Sequence, residues 1–226
     1  MRKIIVAIDG HSACGKSSTA KVVAKKLGYR YIDSGAMYRA TTYQFVTQSV
    51  DLSNEEEILG ALQTIDIQFD IDEAGNSQIL LNGKFAEDFI RTMQVNQKVS
   101  EVSAISSVRR AMVEQQREIG REKGIVMDGR DIGTVVFPDA ELKIFMTASL
   151  EVRAERRQKE LEAKGVHEEL IAISGNLKSR DEADSTRSDS PLRKAEEAIE
   201  IDTTDLTFDD QVNKIVELAE QIIYAS

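Results

Sequence analysis

The sequence predicts an α/β protein: a parallel five-stranded core sheet flanked by helices, with an inserted antiparallel β subdomain and a charged helical segment. Three observations predict it. Short β-branched apolar runs that do not alternate, such as Ile4 to Ile8, suit strands buried on both faces. Helical periodicity separates these runs, and strand–helix alternation joins parallel strands by right-handed crossovers. Between residues 65 and 90 the period switches to two, which is foreign to such crossovers.

The elements follow in order. After the strand at Ile4–Ile8 comes a glycine-rich turn. A helix from Lys16 to Leu27 then keeps Ala20, Val23, Ala24 and Leu27 on one face and stops at Gly28. Tyr29 to Ile32 forms a second strand, and a helix runs from about 36 to 47. Residues 50–64 predict a short helix with Ser53 as N-cap and Glu56 three residues on. Ile65, Ile67, Phe69 and Ile71, a turn at 72–76, and Ile79 to Leu81 predict a hairpin within an insertion of about 62–92. A helix at about 106–123 and strands at 125–127 and 142–146 resume the α/β pattern. The charged stretch 149–197 holds two or three helices. A strand at 198–201 precedes a last helix, 208–224, capped by Thr207 with Asp210 at the third position.

The 226 residues are enough for one large domain carrying an insertion, and 41% hydrophobic with 30% charged content fits a sizeable core. Asp and Glu total 39 against 29 Lys and Arg, a net charge of −10, which argues against a nucleic-acid partner. No apolar run nears the roughly 18 residues of a membrane span. Met1-Arg2-Lys3 leads into a strand, not a signal peptide. A single cysteine, Cys14, forbids an intrachain disulfide, and two histidines, His11 and His167, make zinc chemistry a poor fit. The expectation is a cytoplasmic, globular monomer.

Gly10-His11-Ser12-Ala13-Cys14-Gly15-Lys16-Ser17 matches G-x-x-x-x-G-K-[ST], with a strand before it and a helix after it. Such a loop points backbone N–H groups at phosphates. Lys16 neutralises their charge, and Ser17 offers a hydroxyl to Mg²⁺. Residues Gly10 to Ser18 are therefore the expected nucleotide-binding segment, and Ser17 the expected metal contact. Cys14, close to the helix N-terminus and to Lys16, is expected to be a reactive thiolate, and Lys16 to be exposed. The motif leaves the reaction open. A guanine-dependent switch would need N-K-x-D, and Asn213-Lys214-Ile215-Val216 lacks the aspartate.

Arginines then cluster where strands end. Arg39 follows Asp33-Ser34-Gly35, and Arg130-Asp131 follows the strand at 125–127, at the edge where open α/β sheets bind ligands. Arg180, Asp184 and Arg187 lie one helix beyond Arg153, Arg156 and Arg157. Transfer of a phosphoryl group between anions needs such guanidinium groups. Lys16, Arg130, Arg157 and Arg180 are the expected catalytic set. Arg2, Arg110, Arg117 and Arg121 read as solvated surface charges.

Three segments carry a family resemblance: Asp33-Ser34-Gly35-Ala36-Met37-Tyr38-Arg39, the run Gly129 to Ala140, and Arg180-Asp181-x-x-Asp184-x-x-Arg187. In this order they resemble the bacterial cytidylate kinases, nearly end to end. The resemblance implies a P-loop nucleoside monophosphate kinase that phosphorylates CMP and dCMP with MgATP. It implies a core of 1–34, 104–150 and 198–226, a monophosphate-binding region at about 35–103, and a lid at about 151–190. By motif, Ser34, Arg39 and Arg130 resemble contacts to the acceptor nucleotide and its phosphate. Ser100, Arg109 and Asp131 resemble the cytosine readers, and Arg180, Asp184 and Arg187 the ribose and phosphate contacts. The loop departs from the family in His11, where proline is usual, and in Cys14. Cytosine offers an amino donor beside acceptors, so a carboxylate with a guanidinium suits it, and the uracil carbonyl would face Asp131 oxygen to oxygen. Alternatives are another small-metabolite kinase, for UMP, other nucleotides or shikimate, and, further off, a nucleotide-dependent switch. His167 reads as solvent-facing and His11 as loop filler. Asp128 is either a carboxylate near magnesium or a strand-end turn residue, and Thr203 to Asp205 fall beside the expected adenine position.

Overall fold

Successive residues of the first strand point to opposite sides of the sheet, and both sides are buried. In the computed structural model, which describes residues 2–72, 77–163 and 165–225, the first half runs β1 (Ile5–Gly10), α1 (Lys16–Leu27), β2 (Arg30–Asp33), α2 (Ser34–Gln48) and α3 (Glu55–Leu62). The insertion holds β3 (Ile67–Ile71), β4 (Ser77–Leu81) and β5 (Lys84–Phe85), and α4 (Glu87–Ile90), α5 (Met93–Ala104) and α6 (Ser106–Ile119) follow it. The second half is β6 (Ile125–Gly129), a π-helical turn at Ile132–Val136, β7 (Leu142–Thr147), α7 (Leu150–Glu162), α8 (Leu170–Thr186), β8 (Ile199–Asp202) and α9 (Phe208–Ile223). The core sheet is five parallel strands in the order β2-β6-β1-β7-β8.

Ile5, Ala7, Ile32, Ile125 and Met127 join one apolar core with α2, α3 and α6. Val6, Ile8, Val126, Ile144 and Met146 join another with α1 and α9. Helices on both faces are what continuous apolar strands demand. The expected antiparallel insertion is present as a three-stranded sheet, with β3 and β4 paired from Ile67↔Leu81 to Ile71↔Ser77. It shares the first core, because Ile67, Ile79 and Leu81 pack there. Most of the turn expected at 72–76 falls on residues 73–76, outside the described residues.

Some boundaries differ from expectation. Ser53 does not cap α3. Its amide and hydroxyl both bond Asp51 Oδ1, and Asn54 takes the cap, accepting from the amides of Glu56 and Glu57. The second strand starts one residue late, since the Tyr29 amide still closes α1 on the Ala24 carbonyl. The helix expected to reach 123 ends at Ile119, capped by Gly120. The helices α4 and α5, the strand β5 and the π-helical turn were not expected. The charged stretch resolves into α7 and α8, which share a small cluster of Ala154, Ile173 and Leu177 against Ala13. No helix among the described residues is long and apolar enough to cross a membrane.

Candidate active site

The loop Gly10–Ser17 leaves β1 at the carboxyl edge of the sheet. A Cβ on Gly10, at φ +154°, would stand 2.2 Å from the Met146 carbonyl oxygen, so only glycine fits beside β7. Gly15, at φ +91°, precedes α1 without any side-chain cap, which leaves first-turn amides free for an anion. Lys16 is buried, not exposed as expected, because its stem is enclosed by the loop and Nζ donates to the His11 carbonyl at 3.1 Å. Burial first, and then Arg130, lower its pKa. Cys14 is also fully buried, which overturns the expectation of a reactive thiol: a reagent cannot reach the sulfur.

Ser17 Oγ donates to Asp128 Oδ2 at 2.7 Å, and the Tyr31 hydroxyl donates to Oδ1 at 2.8 Å. Burial, and next Asp33, raise the Asp128 pKa. A buried carboxylate bonded by two hydroxyls, one of them from the phosphate loop, fits a hard divalent cation. Ser18 lies exposed at the start of α1. The His11 ring meets residues of α8 and β7. Its Nδ1 lies 3.4 Å from Asp181 Oδ1, and the ring meets Phe145 edge-on. Thr203, fully buried, holds the loop from below, with its hydroxyl 3.1 and 3.0 Å from the carbonyls of Cys14 and Thr147. Arg156 bonds Thr203 and the Cys14 carbonyl.

Across the cleft, β6 delivers Arg130 and Asp131. Arg130 Nε binds Asp184 Oδ2 and its Nη2 binds Ser12 Oγ, both at 2.7 Å, so one guanidinium spans α8 and the phosphate loop. Asp131 pairs with Arg109 Nη2 at 2.5 Å, and its Oδ1 lies 3.9 Å from Arg187. Arg109 is 1% exposed, lies over the Tyr38 ring and donates to the Ser103 carbonyl. Ser100 is exposed on α5, so it is Ser103 that meets Arg109. Ser34 donates to the Asp128 carbonyl. Asp33 caps α2 through Oδ1, while Oδ2 faces Arg39 at 3.1 Å and Arg91 at 3.5 Å. Arg187 binds the Ser190 carbonyl and lies 3.6 Å from Asp184. Arg157 pairs with Glu160 toward solvent. Arg117 is no solvated charge, since it bonds the carbonyls of Val135 and Val136 and secures the π-helical turn. His167 is exposed as expected.

Positive charge is crowded here. Burial, then Arg130, with Arg157 and Arg39 behind it, lower the Arg180 pKa. Burial, then Arg109, lower that of Arg187. Buried donors also stand unmatched, among them Tyr38 Oη, Arg39 Nε and Arg109 Nε. Crowded cations and idle donors are the signature of a pocket shaped for an anion. The sequence reading missed Asp33, Arg91, Tyr31, Tyr38 and Asp181. The only signal for Asp33 was its six-residue spacing from Arg39 within a quoted motif.

A parallel sheet whose first strand enters a phosphate loop, faced by converging arginines, is the architecture of a P-loop kinase. The cytidylate kinase family model matches residues 6–221. Cytidylate kinases of Cytophaga hutchinsonii and Bacteroides fragilis (strain YCH46) are each 53% identical, covering 97% and 93% of this chain and 94% of their own length. That of Bacillus cereus (strain ATCC 10987 / NRS 248) is 48% identical, covering 96% of both chains. Among solved structures, an uncharacterized protein from Eubacterium ventriosum superposes with a TM-score of 0.51 at 14% identity, covering 97% of this chain and 99% of its own, a likeness of fold alone. The chain belongs to the cytidylate kinase family.

Proposed function

We propose that the protein transfers the γ-phosphoryl group of ATP to CMP or dCMP, giving the diphosphates, as a cytoplasmic monomer without a nucleic-acid partner. The crowding of Lys16, Arg39, Arg130, Arg180 and Arg187 in one cleft of a chain with net charge −10 carries this reading. Basic groups pressed together against their own repulsion favour a ligand of several phosphates. The loop amides and Lys16 hold the donor phosphates, with Ser17 and Asp128 placed to hold Mg²⁺. When bound, Mg²⁺ supplies charge neutralisation between phosphate oxygens. Arg39, Arg130 and Arg187 hold the acceptor phosphate, with Ser34 and Asp184 beside them, and Arg130 and Arg180 stabilise charge on the group in transfer. Asp131 and Arg109 read the base, with Ser100 at the rim, and Arg157 of α7 joins the catalytic set through its charge beside Arg180. Catalysis is then positioning and charge stabilisation, with no covalent enzyme intermediate. We further propose the division into core, acceptor region and lid given by the sequence.

The test is ADP release with CMP, dCMP, UMP, AMP and shikimate in parallel, for the wild type and Lys16→Ala. CMP and dCMP should be the preferred acceptors, and Lys16→Ala should remain folded with activity near background. Preference for another acceptor, or Lys16→Ala retaining more than a small fraction of activity, would overturn the reading.

A further inference from the structure

The phosphate loop and the turn bearing Arg130 and Asp131 are tied by a residue that neither has claimed. Asp9, buried at the end of β1, precedes Gly10 directly. Its Oδ1 accepts the Ile132 amide at 2.8 Å and its Oδ2 accepts the Gly133 amide at 2.7 Å. These amides open the π-helical turn just past Asp131, and holding two adjacent peptide planes fixes where residues 130 and 131 leave the sheet. We propose that Asp9 is a positioning residue for the acceptor half of the site, its ionised carboxylate setting the turn that presents Arg130 and Asp131. This rests on the reading of those two residues as acceptor contacts.

A purely structural strut would have been cheaper with a neutral acceptor, because a buried carboxylate is costly. Burial pushes the Asp9 pKa up to about 7 against the pull of the two amides. Asp131, from the turn, raises it further, and Lys16, from α1, lowers it. Lys143 of β7, paired with Glu197, lies close by against Gly133. Protonation takes one acceptor oxygen from the turn. Acceptor binding and Asp9 ionisation are therefore linked, and each favours the other.

The experiment is Asp9→Asn, which keeps the shape but sets an amide donor against one of the two N–H groups. KM for CMP should rise about tenfold or more, and the CMP-to-UMP ratio of kcat/KM should fall, while KM for ATP holds. The wild type should lose CMP affinity as pH falls through 7, and the variant should lack that limb. Titration of the CMP phosphate is common to both and cancels. Should the variant fail to fold, ¹⁵N NMR of the wild type decides: the Ile132 and Gly133 amides should titrate near pH 7, with a lower midpoint when CMP is bound. KM values for both substrates rising together, or an amide midpoint indifferent to CMP, would overturn the proposal. If Asp131→Asn shifts the base ratio and Asp9→Asn does not, the positioning role falls and the acceptor reading stands. If neither shifts it, the acceptor reading falls first and takes the positioning role with it.

Discussion

Asp131 gives one oxygen to Arg109 at 2.5 Å and keeps the other at 3.9 Å from Arg187, so Oδ1 is the oxygen free to accept from a base. Orienting Arg130 through a salt bridge would be a competing role for Asp131. Arg130 instead pairs with Asp184, and the variant now separates base reading from the orientation of Arg109. Asp131→Asn keeps the volume and spares Arg109 a void, but loses the charge. A hydrogen bond to a charged group is worth about 1.5–3 kcal/mol, so CMP efficiency should drop about 10- to 150-fold. UMP should lose far less, or gain, since an oxygen–oxygen repulsion is removed. The check is kcat/KM for both nucleotides on one preparation; equal losses would place Asp131 outside base recognition. The pairing could not be read from spacing, because Arg109 and Asp131 meet only once α6 and the turn after β6 are packed together.

The helices α7 and α8 pack on each other through a small apolar cluster and the Arg153–Asp181 ion pair. Ala154, Ile173 and Leu177 are the buried residues of their cluster, while each core beneath the sheet holds many more. Leu177→Ala should therefore act locally. A buried Leu→Ala costs about 2–5 kcal/mol where neighbours cannot close the gap, and here it should appear as faster amide exchange through residues 165–190. Exchange in β1 and β6 should be unchanged and KM for ATP raised. Protection lost evenly across the sheet would show instead that the pair is part of the global fold. At this scale, what periodicity governs was legible, namely the five core strands, α1, the hairpin and α9. What depends on a neighbour was not. Asp51 captured Ser53 and passed the cap to Asn54, and the π-helical turn exists because Asp9 and Arg117 hold it from either side. The buried Lys16 and Cys14 contradicted a reading that treated the loop as surface.

For the whole molecule, the Asp9 carboxyl sets an unusual slope. Its folded pKa of about 7 stands above the ordinary 3.8, so the folded chain holds a proton that the unfolded chain releases. That contribution is complete below about pH 4 and is lost as pH rises to 7, on the order of 4 kcal/mol at most. Asp184 runs the other way: against burial, Arg130 holds its pKa below the ordinary value, and its support is lost only in more acid solution. The thermal midpoint should thus fall from pH 5 to pH 8 in the wild type and much less in Asp9→Asn. Superimposable pH curves would refute it. The same central strand bears on how the chain is made. In the sheet β1 lies between β6 and β7, and Ile5 pairs with Ile125, a gap of 120 residues. At about 5–20 residues per second, a ribosome needs roughly 6–24 s to cross that gap. All that time the apolar first strand has no partner, so a growing chain depends on shelter until residue 147 has emerged.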